Sequence, residues 1–410
     1  MKLANSFLWA TSGRALYIIF QAIVIIYFTK KFSSIEIGYY GIALAITNPI
    51  FKLFDINLRA LLVTDIRNQF SYNNYFNVRA LNSVLAFFII LFILLIMSFS
   101  YKLTAIIVIM TLFKVIEGFS DIYYSILEKH ERQDIITKSL ILKILLILSF
   151  MVLSTNYQSN FIFVLLSMHL PVIFILKYWD SNQCYKKTGY RHNFFKFKKF
   201  KKTYININKI GISLGMADTL NSINSSIPKL LIAQYLSTAL LGVFVPISYI
   251  YSATNNFISA IKQVLIAKLS KLFYKNMILF HKRIKIFLLY GIILALFFFI
   301  ITYVFGNVIL ASLFTKDYSS QKSVLVILML ASGAQYTKSL ISSALLIMRK
   351  HNIQPYINGI ALFINFMIGV FLIPNYGLKG AAFSLLVTNL FSFFIYLIFY
   401  LIDSRSIEKQ

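Results

Sequence analysis

Trp179-Asp180-Ser181-Asn182-Gln183-Cys184-Tyr185-Lys186-Lys187-Thr188-Gly189-Tyr190-Arg191-His192-Asn193-Phe194-Phe195-Lys196-Phe197-Lys198-Lys199-Phe200-Lys201-Lys202-Thr203-Tyr204-Ile205-Asn206-Ile207-Asn208-Lys209 is the longest polar interruption in a chain that is otherwise a succession of apolar runs. About six runs lie on each side of it, each near the 20 residues that cross a hydrocarbon core of about 30 Å. The chain therefore reads as an all-α, polytopic membrane protein of about twelve spans. Residues 1–178 and 210–410 form two six-helix bundles, and residues 179–209 form a basic linker. Phenylalanines among the linker lysines point to an interfacial helix, the alternative being a solvated basic loop.

The distribution of cations orients the chain. Of 40 Lys and Arg residues, 27 occupy every second gap between runs, 6 the intervening gaps, and 7 the runs themselves. By the positive-inside rule the basic gaps are cytoplasmic, which places both termini inside. The opposite gaps, near Lys30, Lys102, Ser154 to Asn160, Ser237, Lys316 and Lys379, are all short, so no folded domain fits outside.

Composition excludes several classes. With 59% hydrophobic and 13% charged residues, the chain cannot cover a soluble globule with polar surface. A net charge of +27 raises the question of nucleic acid, but the cations sort by topology and face anionic headgroups, so no nucleic-acid partner is expected. The lone Cys184 builds neither a disulfide nor a thiolate metal site. With no P-loop, no HExxH and five scattered histidines, no catalytic residue, metal or cofactor is expected, and the chain reads as no enzyme. Lys2 leads into a run broken by Arg14, read as a first span and not a removed signal.

An internal echo links the two halves. Ser34-Ile35-Glu36-Ile37-Gly38-Tyr39-Tyr40 corresponds to Thr238-Ala239-Leu240-Leu241-Gly242-Val243-Phe244 at an offset of 204, each directly after the first span of its half. Parallel repeats about an axis along the membrane normal are a mark of transporters whose bundles rock about a central cavity.

Eleven ionisable residues lie within the runs: Arg14, Lys52, Asp55, Lys114, Glu117, Asp121, Lys143, Asp218, Lys229, Lys262 and Lys338, a net of +3. Each costs at least about 2.5 kcal/mol in hydrocarbon, so they must turn toward protein or water. Lys114, Glu117 and Asp121 fall at i, i+3 and i+7 on one face, and Lys52, Asp55 and Arg59 repeat that spacing. Under the offset, Arg14 aligns with Asp218, which suggests a gating pair; mutual neutralisation within a bundle is the alternative. Lys143 and Lys262 lie near span ends and are expected to snorkel. Pro49 and Pro228 are expected to kink the second and seventh spans. A positive surplus favours an anionic cargo, with Arg14, Lys52, Lys114, Lys229 and Lys338 as its contacts. Asp55, Glu117, Asp121 and Asp218 are then the candidates for ion coupling or gating.

Three stretches carry a family resemblance. They are Trp9-Ala10-Thr11-Ser12-Gly13-Arg14, Asn221-Ser222-Ile223-Asn224-Ser225-Ser226-Ile227-Pro228-Lys229, and Leu372-Ile373-Pro374-Asn375-Tyr376-Gly377-Leu378-Lys379-Gly380-Ala381-Ala382. The chain resembles Wzx-type O-antigen flippases of the multidrug/oligosaccharidyl-lipid/polysaccharide (MOP) exporter superfamily. It departs from the pattern at Lys229, where many relatives have Arg, and at Ser213-Leu214-Gly215, where they have Pro-Leu-Gly.

The resemblance implies a MATE-like fold of two bundles related by pseudo-two-fold symmetry. It implies movement of an undecaprenyl-pyrophosphate-linked oligosaccharide, an O-antigen repeat unit of lipopolysaccharide, from the cytoplasmic to the periplasmic leaflet of a bacterial inner membrane. The partners it implies are that lipid-linked substrate, a proton or sodium ion, membrane lipids, a polysaccharide polymerase and a chain-length regulator. The rival reading is a MATE-like cation-coupled drug antiporter, which would want a surplus of acid where this chain has a surplus of base.

Overall fold

A computed structural model describes residues 2–65, 67–190, 197–348, 350 and 353–408. The described chain is helical almost throughout. In order it runs α1 Lys2–Lys31, α2 Ser34–Asp55, α3 Leu58–Thr64, α4 Tyr72–Ile96, α5 Tyr101–Lys129, α6 Gln133–Tyr157, α7 Phe161–Ser167, α8 His169–Ile175, a π-helical turn Leu176–Asp180, and α9 Ser181–Thr188. It continues with α10 Phe197–Tyr235, α11 Thr238–Lys275, α12 Met277–Leu313, a 3₁₀ turn Lys316–Gln321, α13 Lys322–Ile347, α14 Gln354–Tyr376 and α15 Leu378–Glu408. Among the described residues, ten helical segments are long and apolar enough to cross a membrane. At 39 and 38 residues, α10 and α11 are long enough as well, which brings the architecture to about twelve spans.

The helix starts follow from the sequence. Ser71, Ser100, Asn160, Ser237 and Asn276 each accept a hydrogen bond from a first-turn N–H of α4, α5, α7, α11 and α12, groups that would otherwise lack a partner. Gly377, at φ 58, ends α14 in a conformation that excludes side chains, three residues after Pro374.

The sixth span continues through the π-helical turn and α9 to Thr188, while α10 opens at Phe197 and runs directly into the seventh span. The expectation for Arg191, Phe194, Phe195 and Lys196 lies outside the described residues.

Two compact units divide the chain. The first comprises residues 1–24 and 42–222, the second 25–41 and 223–410. In the first, Ile56, Leu58, Leu62, Tyr75, Val78, Ile122, Ile126, Cys184 and Ile207 form a buried core. In the second, α13 is central. Of its apolar stretch 72% is buried, against 11% for α12, whose Leu289, Ile293, Leu296, Ile300 and Val304 form an exposed apolar surface.

The repeated stretches meet within the second unit. A Cβ on Gly38 would collide with the backbone oxygen of Thr238, and one on Gly242 with that of Ser34. The offset of 204 maps each contact onto the other, so the junction is reciprocal. Only glycine lets the two backbones approach this closely.

Prolines interrupt the bonding of these helices without ending them. Pro49, Pro228 and Pro246 lie inside α2, α10 and α11. A proline removes the N–H that would bond the carbonyl four residues earlier. For Pro228 that carbonyl belongs to Asn224, and Asn365 Nδ2 donates to it at 2.8 Å. For Pro246 it belongs to Gly242, which accepts from Tyr318 OH at 3.4 Å. In both cases a neighbouring element supplies the missing donor.

Candidate functional site

An ion network joins α2, α3, α4 and α5 in the first unit. Arg79 pairs with Asp55 through one terminal nitrogen and with Asp121 Oδ2 at 3.2 Å through the other. Arg59 bonds Asp121 Oδ1 at 3.1 Å and Glu128 Oε2 at 2.7 Å, and Lys52 approaches Asp55 at 3.8 Å. Three bases meet three acids, so the network is neutral as a whole. Its centre is dry and its edge open: the Arg79 side chain is 8% exposed, that of Lys52 52%.

A strained turn aims Asp55 into this network. Ile56 and Asn57 both adopt left-handed backbone, at φ 48 and 50, which a β-branched residue holds only when its surroundings impose it. Gly211 and Gly215 of α10, one turn apart, supply that surrounding; a Cβ on either would strike the Ile56 backbone. The second span is therefore interrupted after Asp55 and not at Pro49.

The other first-unit residues divide as follows. Lys114 Nζ lies 3.4 Å from Glu117 Oε2, and Tyr17 OH donates to Glu117 Oε1 at 3.0 Å. Arg14 and Asp218 both have exposed side chains in the interior of long helices, α1 and α10. Lys143 does not snorkel. It is buried, and its Nζ donates to Asp180 Oδ2 at 2.7 Å, Tyr124 OH at 2.7 Å and Ser120 Oγ at 2.8 Å. Asp180 is 1% exposed and also accepts from Ser139 Oγ at 2.5 Å. The π-helical turn that ends at Asp180 carries the carboxylate to this position, a shift that helical periodicity does not predict.

In the second unit Lys229 follows Pro228 on α10 and is half-buried; among the described residues it has no hydrogen bond or ion pair. Lys338 on α13 is 5% exposed. The side chain of Lys262 lies outside the described residues.

Sequence reasoning missed Arg79, Glu128 and Asp180. All three fall at span ends, where a charge reads as topogenic. Adding them, with Arg59, to the span residues leaves the surplus of three positive charges unchanged. Among the described residues no group of three or more His, Cys, Asp or Glu side chains could hold a metal ion.

After α3, outside the spans, Asp65 organises a loop. Gln69 N and Phe70 N donate to its carboxylate at 2.9 and 3.2 Å, and Tyr75 OH donates at 3.1 Å. Burial alone would raise the Asp65 pKa; these donors and the Lys129 ammonium outweigh it and hold the carboxyl below its usual range.

No family model matches the chain. In sequence it is similar to the capsular polysaccharide biosynthesis protein CapF of Staphylococcus aureus, 27% identical over 371 residues that cover 89% of this chain and 91% of that protein. In structure it is similar to the lipid II flippase MurJ in an inward closed conformation, with a TM-score of 0.73 and 17% identity over 96% of this chain and 86% of that one. A point mutant of the Vibrio cholerae MATE transporter VcmN gives 0.66 and 14% over 99% and 97%. An inward-facing MATE transporter of the MOP superfamily gives 0.62 and 12% over 99% and 96%. The resemblance drawn from the three sequence stretches is thus met by both comparisons: the chain has the fold of the MOP exporters, and its sequence is similar to that of a protein of capsular polysaccharide biosynthesis.

Proposed function

We propose that the protein is a flippase that carries an oligosaccharide repeat unit linked to undecaprenyl pyrophosphate from the cytoplasmic to the outer leaflet of a bacterial plasma membrane. It works by alternating access, with both termini cytoplasmic and the bundles at 1–178 and 210–410 as the moving bodies. The observation that carries this reading is the surplus of cations on membrane helices. Arg14 has an exposed side chain in mid-helix, and Lys229 has no hydrogen bond or ion pair among the described residues. A cationic surplus suits a diphosphate and opposes an organic cation. Sequence likeness to a capsular polysaccharide protein supports a glycan cargo, whether capsular or O-antigen.

Lys52 and Lys114 join Arg14, Lys229 and Lys338 as cargo contacts in this reading, while Asp55, Glu117, Asp121 and Asp218 serve ion coupling. Outward movement of a doubly charged headgroup gains roughly 2.3 kcal/mol per charge per 100 mV of inside-negative potential. The return of the empty, positive carrier is the opposed step. A proton or sodium ion taken up at Asp55 or Asp121 would weaken the hold on Arg79 or Arg59, so ion binding and release of a guanidinium toward phosphate would be one event.

Deletion in a strain that makes a surface polysaccharide tests the reading. Lipid-linked repeat units should accumulate facing the cytoplasm, and wild-type protein should clear them where an Arg14→Ala/Lys114→Ala variant of equal abundance does not. Normal arrival of repeat units at the outer leaflet without the protein would end the proposal.

A further inference from the structure

Ionised residues and neutral polar residues are distributed unevenly between the units. Eight of the eleven ionisable residues read from the spans belong to the first unit. In the second, α11 and α13 contain no Asp or Glu at all, yet both carry amides and hydroxyls at mid-helix.

On α11, Ser248, Tyr251, Ser252 and Asn255 fall at i, i+3, i+4 and i+7, one face of the helix. Tyr251 and Asn255 are each held from behind by a buried donor. Ser332 Oγ donates to Asn255 Oδ1 at 2.9 Å, and Asn389 Nδ2 donates to Tyr251 OH at 3.1 Å while also reaching Ala331 O at 3.2 Å. Ser332 and Asn389 are 0% and 2% exposed, so these orientations are preset. Both acceptors remain half-exposed.

Two further amides have no hydrogen bond among the described residues. Asn256, near the midpoint of α11, is exposed and has no hydrogen bond among the described residues. Gln335, one turn from Ser332 on α13, is half-exposed and likewise has none among the described residues. Hydrocarbon offers a carboxamide no hydrogen bond, at a cost of several kcal/mol, so an exposed amide on a membrane helix is best served by water or by a ligand rich in hydrogen-bonding groups.

Oriented amides and a tyrosine, on two helices without a carboxylate, match a neutral polyol: amides exchange paired donors and acceptors with vicinal hydroxyls, and the phenol ring covers a sugar's apolar face. We propose that Tyr251, Asn255, Asn256 and Gln335 recognise the sugar residues of the cargo and set which repeat unit is accepted. This rests on the flippase reading and deepens it, because the diphosphate alone cannot distinguish one glycan from another.

The test uses the purified full chain and two probes, undecaprenyl diphosphate and the glycosylated form of the same lipid extracted from the source strain. Asn256→Ala, Gln335→Ala and Tyr251→Phe, each with wild-type melting behaviour, should weaken binding of the glycosylated lipid about tenfold, the effect of one good hydrogen bond. Affinity for undecaprenyl diphosphate should stay within about twofold of wild type. Arg14→Gln combined with Lys114→Gln should weaken both. Amide variants that weaken both probes equally, or neither, overturn the sugar site and leave the flippase reading standing. A wild-type protein that binds neither probe overturns both.

Discussion

Asn365 on α14 donates its amide to the Asn224 carbonyl on α10, the same carbonyl that Pro228 deprives of a helical partner. The two residues are complementary: one creates an orphan acceptor in the membrane and the other satisfies it. Asn365→Ala should cost about 1–3 kcal/mol, the penalty of an unpaired buried carbonyl. Pro228→Ala returns the missing N–H, so in that background the Asn365→Ala penalty should shrink. Thermal unfolding of the four proteins in detergent measures it, and an equal penalty in both backgrounds would refute the complementarity.

Arg79 is the centre of the ion network, with Asp55 and Asp121 on its two terminal nitrogens. Arg79→Gln leaves the network one cation short, with Asp121 held by Arg59 alone and Asp55 only by the looser Lys52, and should destabilise by about 3–5 kcal/mol. Asp121→Asn should cost less, since Arg79 keeps Asp55 and Arg59 keeps Glu128. Combined, the two substitutions should cost less than their sum, which a double-mutant cycle on denaturation midpoints reads directly.

Lys143 and Asp180 form a buried pair with every polar atom engaged. Lys143→Met alone strands a carboxylate and should lower stability by about 3–5 kcal/mol. With Asp180→Leu added, most of that loss should return. A double variant no more stable than the single one would show that the pair is held for some reason other than mutual neutralisation.

Much of this was legible in the sequence. The apolar runs, the serine and asparagine caps, Gly377 and the 204-residue echo are local signals, and each marks an element the structure contains. The charge pairings were not legible, because they depend on which helices touch. Arg79 and Glu128 sit where the runs give way to polar gaps, a place where an ionised residue needs no buried partner, although in three dimensions Arg79 pairs with Asp55 and Asp121 and Glu128 pairs with Arg59. Lys143 lies near the end of its run, the ordinary place for a snorkelling lysine. Its burial follows from a π-helical turn that leaves no periodic trace. The break after Asp55 was hidden for a similar reason: no glycine or proline occupies Ile56 or Asn57, and the glycines that permit the turn lie on α10, more than 150 residues later.

Gly38→Ala and Gly242→Ala each place a methyl group against a backbone oxygen that cannot move aside. Each should destabilise by about 1–3 kcal/mol. Gly359, whose added Cβ meets nothing within 4 Å, is the control. Gly359→Ala in the same assay should be neutral or stabilising, because alanine is the better helix former.

Asp65 sets a pH dependence outside the membrane. Its folded-state carboxyl is held below the ordinary range, so its contribution is present above the unfolded value of about 3.9 and is lost as pH falls through the lower, folded value. Asp65→Asn should therefore melt earlier than wild type at pH near 7, and the gap should close in strong acid. A gap that persists unchanged to about pH 2 would mean that the loop responds to shape and not to charge.

The reciprocal seat of Gly38 and Gly242 is self-complementary, as a homodimer interface must be, with each surface meeting its own counterpart across a two-fold. A single polypeptide here keeps the contact geometry of a pair of identical protomers, as tandem fusion of a duplicated gene would leave it. Substitutions on one side of that seam are therefore constrained by their copy on the other, and the two stretches must drift together or not at all.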